Sequence, residues 1–169
     1  NHDRIVQVLR KSTEGDRTYV NGSLPGQLGI KLRDDYSHYF EEVAMTFFRP
    51  TKELIKAGVV SLEEVGYYFQ PSITSILLPE MISGNQNGLD DVFGVLLSES
   101  LAMKLFREED PIGKGISLNV STQLVVTGVY KDFPKNSSFA EAKFLVSQHL
   151  IYNSENPYVW DNYDIQVFA

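Results

Sequence analysis

With 169 residues the chain fits one ordinary domain or two small ones sharing an interface, and it is long enough to bury a sizeable core. Its 15 Lys and Arg against 22 Asp and Glu leave a net charge of −7, which repels phosphate backbones and argues against a nucleic-acid partner. Having no cysteine excludes disulfide frameworks, thiolate metal sites and thiol catalysis, and no apolar run approaches the ~20 residues of a membrane helix.

Ile5, Val6, Val8 and Leu9 form a short, β-branched run that predicts a strand, and the polar stretch 11–17 predicts the turn or hairpin after it. Ser23 stands as an N-cap ahead of Pro25, and Leu24, Leu28, Leu32 and Tyr36 recur every four residues. An amphipathic helix ending near Tyr36 is expected. Met45, Phe47 and Phe48 lead to Pro50, Leu54 and Ile55 lead to the turn-like Ala57-Gly58, and 59–69 is β-branched and aromatic. That pattern reads as a strand, a connection and a hairpin, with Pro50 at an edge or a bulge.

Pro71 breaks the strand, and Ser72 can cap a short helix through Ile73, Ile76, Leu77 and Met81 that Gly84 closes. After the polar loop 85–91, the apolar run 92–97 has strand length and meets Ser98-Glu99, where a hydroxyl cap and an N-terminal carboxylate both favour a helix. That helix, 99–106, carries Leu101, Ala102, Leu105 and Phe106 inward, and Asp110-Pro111 stops it. Gly113 and Gly115 then flank Lys114 in a turn.

Residues 116–118 and 124–130 read as a second hairpin around a turn at 119–121. Its later arm is apolar on both faces, as a central strand should be. A loop at 132–138, a strand at 142–146, a brief helix around 149–152 and a terminal strand at 163–168 complete the chain. A hydrophobic fraction of 43% with irregularly mixed strands and helices gives an α+β class: a mixed sheet with packed helices, a β-α unit and hairpins. Asn1 opens the chain without Met or a charged-then-apolar leader, so an excised piece is expected.

Candidate chemistry is sparse. His2, His38 and His149 are scattered, and the weak cluster of His38 with Glu41 and Glu42 reads better as a solvated helix end or loop than as a metal site. Ser98-Glu99-Ser100 sits at a strand-to-helix turn like a nucleophile elbow, but Leu96 and Ser100 stand where that motif needs glycine, so capping outweighs hydrolase chemistry. Gly113-Lys114-Gly115 lacks the glycine approach of a phosphate loop, and Asp110 would repel the phosphate. Its plain reading is a turn with Lys114 in solvent. Asn85, Asn87, Asp90 and Asp91 lack the alternating acids and distant bidentate Glu of a calcium loop. Tyr67 and Phe69 should face one side of a strand and Tyr68 the other, so core packing explains that aromatic run better than an exposed patch.

Val95-Leu96-Leu97-Ser98-Glu99-Ser100-Leu101-Ala102-Met103-Lys104-Leu105-Phe106, then Asp110-Pro111-Ile112-Gly113-Lys114, then Val126-Thr127-Gly128-Val129-Tyr130-Lys131-Asp132-Phe133-Pro134, resemble the periplasmic core domain of MacB-like, FtsX-type ABC transporter permeases. Asp3-Arg4-Ile5-Val6-Gln7-Val8 and Ser23-Leu24-Pro25-Gly26 resemble the segments that open this domain, while 43–68 matches loosely. Physically, the motif residues are scaffold: Ser98 and Glu99 start a helix, Asp110 and Pro111 stop it, Gly113 permits a reversal, and Gly128 allows close approach in a central strand.

The resemblance implies a single extracytoplasmic domain of a bacterial membrane permease, spanning 1–169 and lacking further family residues beyond Ala169. It implies no catalytic residue, cofactor or metal, and a role in coupling ATP-driven membrane-helix motion to substrate or partner handling. Implied partners are the rest of the permease, its dimer mate, indirectly a cytoplasmic ABC ATPase, and other envelope proteins. A sensor or ligand-binding module of the envelope, with a pocket between helices and sheet, is the alternative.

Overall fold

The computed structural model describes residues 5–47, 49–77, 80–151, 160 and 163–169. Six strands close on themselves. β4 (Thr51–Ala57) and β5 (Val60–Phe69) form an antiparallel hairpin, and β5 then runs parallel to β10 (Phe144–Ser147). β10 pairs antiparallel with β7 (Gly94–Ser98), and β7 pairs parallel with β9 (Thr122–Tyr130). β9 folds back on β8 (Gly115–Leu118), which returns to β4. Each of the six is paired on both sides, so the pairings form a small barrel.

Period-two alternation fills it. Ile55, Val95, Leu97, Leu124, Val126 and Phe144 point inward, together with Leu101 and Leu105 of helix α3 (Glu99–Phe106), which plugs one end. Gly66 on β5 lies against the Phe144 ring, where no Cβ would fit. In β9 the alternation breaks by one residue: Val95 opposes Val126, but Leu96 opposes Gly128. The Thr127 hydroxyl in this bulge lies 3.2 Å from both the Gly88 and the Val95 carbonyl oxygens, and beyond it Val129 still faces inward.

Outside the barrel wall, Tyr67, Phe69, Leu96, Tyr130 and Leu145 form a second core around Phe139. The Phe139 ring meets Tyr67 and Phe69 edge-on at 5.1 and 5.5 Å. Tyr68 faces the barrel interior, so alternation separates these aromatics as expected and all three are buried. Helix α2 (Ile73–Leu77) adds Ile73 to the second core. A third core lies where helix α1 (Gly26–Asp35) packs on β3 (Ala44–Phe47) and β11 (Ile165–Phe168), through Leu24, Val43, Met45, Ile165 and Val167. β3 joins the sheet at Phe69 and β11 joins β3, while β6 (Met81–Gly84) extends β9, giving one mixed sheet of nine strands among the described residues. The α+β class is borne out.

β1 (Arg10–Glu14) and β2 (Arg17–Asn21) make a separate hairpin whose ten strand residues are all exposed. Here the sequence expectation moves. The apolar residues 5–9 make only a single bridge, Gln7 to Phe168, in place of a regular strand, and the polar residues form the hairpin. The 5–9 segment nevertheless lies along β11: Val6 N–H donates to Ala169 O at 2.8 Å, Ala169 N–H returns to Val6 O at 3.0 Å, and Val8 N–H donates to Val167 O at 2.9 Å.

Two helix boundaries also differ. Pro25, not Ser23, is the N-cap of α1, because the Ser23 hydroxyl is drawn to the Tyr163 carbonyl across the third core. Met81 and Gly84 belong to a strand, not to the end of α2: Gly84, at φ +80, packs on Thr127 O and the Gly128 Cα, a fit a side chain would block. Pro50 lies in the link between β3 and β4. A single 3-10 turn, Gln148–Leu150, stands where a brief helix around 149–152 was expected, and Tyr152 lies outside the described residues.

Candidate functional site

The densest polar constellation surrounds the N-terminus of α3. Ser98 ends β7 fully buried, and its Oγ accepts from Leu101 N–H at 3.3 Å. Two residues on, Ser100 N–H donates to Asp132 Oδ2 at 2.9 Å and its hydroxyl donates to Asp132 Oδ1 at 2.7 Å. Lys143, just before β10, bonds Asp132 Oδ1 and donates to Ser100 Oγ at 3.1 Å. Four residues from β7, α3, the β9–β10 loop and the start of β10 therefore meet at one point.

Partial burial pushes the Asp132 carboxyl upward, but hydrogen bonds from Lys143, the Ser100 hydroxyl and the Ser100 N–H, with the Lys143 charge, outweigh it. The carboxyl is held below the usual aspartate range. This chemistry is that of a clamp. A serine–lysine dyad needs an uncharged lysine facing the hydroxyl. Here Lys143 Nζ is bonded to a carboxylate, and two of the free N–H groups at the start of α3, those of Ser100 and Leu101, are taken by Asp132 and Ser98.

Glu99 is exposed in the first turn of α3. At the other end of the helix, Asp110 Oδ1 accepts from Ile112 N–H at 3.0 Å and Lys114 N–H donates to Pro111 O at 3.1 Å. Gly113, at φ +77, donates to Val126 O at 2.8 Å, fastening this turn to β9. Lys114 is ion-paired to Glu109 and lies 5.2 Å over the Phe106 ring, in place of reaching freely into solvent. Gly128 faces Met81 and Leu96, whose atoms would lie 2.7 and 2.8 Å from an added Cβ. The singled-out residues thus surround α3 and β9 at three separate points and do not converge on one another.

Ser100, Asp132 and Lys143 carried no site signal of their own, because their meeting depends on contacts across 32 and 43 residues. Elsewhere, Tyr68 OH lies 3.4 Å from Glu53 Oε1, and burial followed by the Glu53 charge and hydrogen bond pushes its hydroxyl up to about 12. The His38 ring lies tilted beside Tyr39 with centroids 4.0 Å apart, and His2 lies outside the described residues. Among the described residues no three His, Asp or Glu side chains gather as metal ligands, and no helix is long and apolar enough to cross a membrane. An open groove of about 570 Å³ lies beside Val6, Tyr39, Ile76 and Ala169.

A family model described as the MacB-like periplasmic core domain matches residues 1–167. The chain belongs to this family. The likeness carried by residues 95–134 is therefore borne out, and the MacB-like domain lies on the extracytoplasmic side of a bacterial membrane as part of a transporter permease. Solved structures share its fold. A domain of a protein described as a permease from Porphyromonas gingivalis is 22% identical, with a TM-score of 0.75 over 99% of this chain and 72% of that one. The periplasmic region of MacB from Actinobacillus actinomycetemcomitans is 16% identical, with a TM-score of 0.69 over 98% and 73%. The extracellular domain of the noncanonic ABC-type transporter YknZ from Gram-positive bacteria is 13% identical, with a TM-score of 0.66 over 97% and 81%. A search of curated protein sequences finds no significant match.

Proposed function

We propose that this MacB-like domain is a non-catalytic lever that carries ATP-driven motion of the permease's membrane helices to a substrate or partner outside the membrane. One observation carries the reading. Val6 and Ala169 run side by side in opposite directions, joined by two backbone hydrogen bonds, at the end of the molecule where β5 finishes. Motion of whatever precedes and follows them is received by one ladder. From there β3 and β11 hand it to a barrel whose closed pairing and buried plug leave little to deform. The α3 clamp serves this stiffness in place of catalysis, since every polar group in it is committed to another.

The other end of β5 reaches the β4–β5 turn, about 30 Å away, where Val59 is 99% exposed. In this reading the partners are the rest of the permease with its dimer mate, the cytoplasmic ATPase indirectly, and envelope proteins met at the far end. The test uses Val59→Cys in the permease, spin-labelled, with the distance between the two labels read with and without bound nucleotide. Coupling predicts a distance that changes with nucleotide, and a change that disappears when flexible Gly-Ser insertions separate residues 5 and 169 from what adjoins them. A distance indifferent to nucleotide, or to the insertions, overturns the reading.

A further inference from the structure

The β1–β2 hairpin is the one regular element among the described residues whose strand residues are all exposed, with the Arg10 guanidinium 4.5 Å over the Tyr163 ring. Its strands pair with each other over five registers, from Arg10 opposite Asn21 to Glu14 opposite Arg17, and its turn is Gly15-Asp16 with Gly15 at φ +58. A two-stranded hairpin alone in water is marginal, and an exposed strand edge is a template for another strand.

The turn fixes which backbone groups are left over. Across a two-residue loop, Glu14 and Arg17 form a hydrogen-bonded pair, so Ser12 and Arg10 also bond inward while Lys11 and Thr13 direct N–H and C=O outward. Among the described residues, Lys11 and Thr13 take part in no backbone hydrogen bond outside the strand.

The sequence of this edge is complementary to its own reverse. Read antiparallel to itself about Ser12, Arg-Lys-Ser-Thr-Glu sets Arg10 opposite Glu14 twice, and sets Lys11 opposite Thr13 twice. The Lys11–Thr13 register joins outward-facing groups to outward-facing groups, which is what a hydrogen-bonded antiparallel pair requires, so charge and backbone polarity select the same alignment. The edge of β2, Arg-Thr-Tyr-Val-Asn, sets Arg17 opposite Asn21 in the same operation and gains no ion pair.

We propose that β1 pairs edge to edge with the β1 of a second copy of this chain, antiparallel about a two-fold axis at Ser12, making a four-stranded sheet across two domains. The contact is isologous, as a two-fold axis demands. It is small, so it depends on copies already held near one another. In the permease that proximity is the dimer of the reading above, and only the local concentration rests on it. Pairing through β1 can hold whether or not the domain transmits motion.

The test exploits the absence of cysteine from the chain. In this alignment Ser12 faces its own copy in a non-hydrogen-bonded pair, with Cα atoms roughly 4.5 Å apart, inside the range a disulfide spans. Ser12→Cys in the dimeric permease, with any cysteine outside these 169 residues replaced, is oxidised and the rate of covalent dimer formation followed, with Tyr19→Cys marking the β2 edge. Placing Arg10→Glu or Glu14→Arg in the Ser12→Cys background turns two opposite-charge pairs into like-charge pairs and should slow cross-linking about tenfold. Both changes together restore opposite charges and should bring the rate back to within about twofold of Ser12→Cys alone. Equal rates in all four Ser12→Cys proteins would overturn the proposal, as would Tyr19→Cys linking as fast as Ser12→Cys. The nucleotide-dependent distance at Val59 responds to neither outcome, so the two proposals fail separately.

Discussion

Two hairpins in this molecule share a turn and share little else. Gly15-Asp16 closes β1–β2 and Gly58-Val59 closes β4–β5, each with glycine first, at φ +58 and φ +57, and a residue pair directly flanking the loop. β4 and β5 set Ile55, Ala57 and Tyr68 into the barrel, whereas β1 and β2 leave all ten residues in water. The same backbone ladder and the same turn are thus bound to a core in one place and free in the other. Backbone hydrogen bonds exchange for bonds to water at little net gain, so burial is what separates them.

The largest effect expected from this contrast lies in the barrel. Phe144→Ala removes a fully buried ring from the wall against Gly66 and should cost about 3–5 kcal/mol. Denaturant unfolding should show a lower midpoint with an unchanged slope. A loss under about 1 kcal/mol would mean that the barrel interior can collapse around the missing ring.

The reverse substitution, Gly66→Ala, drives a methyl into the same ring and should cost about 1–3 kcal/mol. Combined with Phe144→Leu, which clears the space, its cost should shrink, because two residues in contact do not add. Purely additive losses would show that the Gly66–Phe144 approach does not limit the packing.

Much of the barrel was legible in the sequence. β7, α3 and the β8–β9 hairpin follow from the apolar runs at 92–97 and 124–130, the Ser98 cap and the Gly113 turn, all local signals. Ring closure was not legible, since β5 meets β10 through Gly66 and Phe144, and no periodicity links such distant segments. The first hairpin was hidden for another reason: its residues never face a core, so the apolar 5–9 run drew the strand assignment one segment early. The clamp shows both limits. Ser98 could be read as a cap, while Asp132 lay in an apparent loop and gains its meaning from Lys143 and Ser100.

That clamp gives an intermediate effect with a pH signature. Asp132 has a lowered carboxyl pKa in the folded protein, so its contribution is present above its unfolded pKa and is lost as pH falls through the folded value. Asp132→Asn should therefore cost roughly 1–2 kcal/mol at neutral pH, through weaker bonds to Ser100 and Lys143. As pH falls through the lowered pKa of the folded carboxyl the variant should lose less stability than the parent, and the two curves should converge once that carboxyl is protonated. Parallel curves over that range would remove the clamp from the acid response.

The smallest effect isolates the two turns themselves. No atom lies within 4 Å of an added Cβ at either Gly15 or Gly58, so alanine costs each only its left-handed backbone, about 1 kcal/mol. In Gly58→Ala the cost should appear in global unfolding, because β4 and β5 separate only when the barrel opens. In Gly15→Ala it should leave global unfolding within about 0.5 kcal/mol of the parent and emerge as about fivefold faster amide exchange in β1 and β2, since a hairpin without a core opens by itself. Should Gly15→Ala lower global stability as much as Gly58→Ala, the first hairpin would be tied into the cooperative core instead of opening by itself.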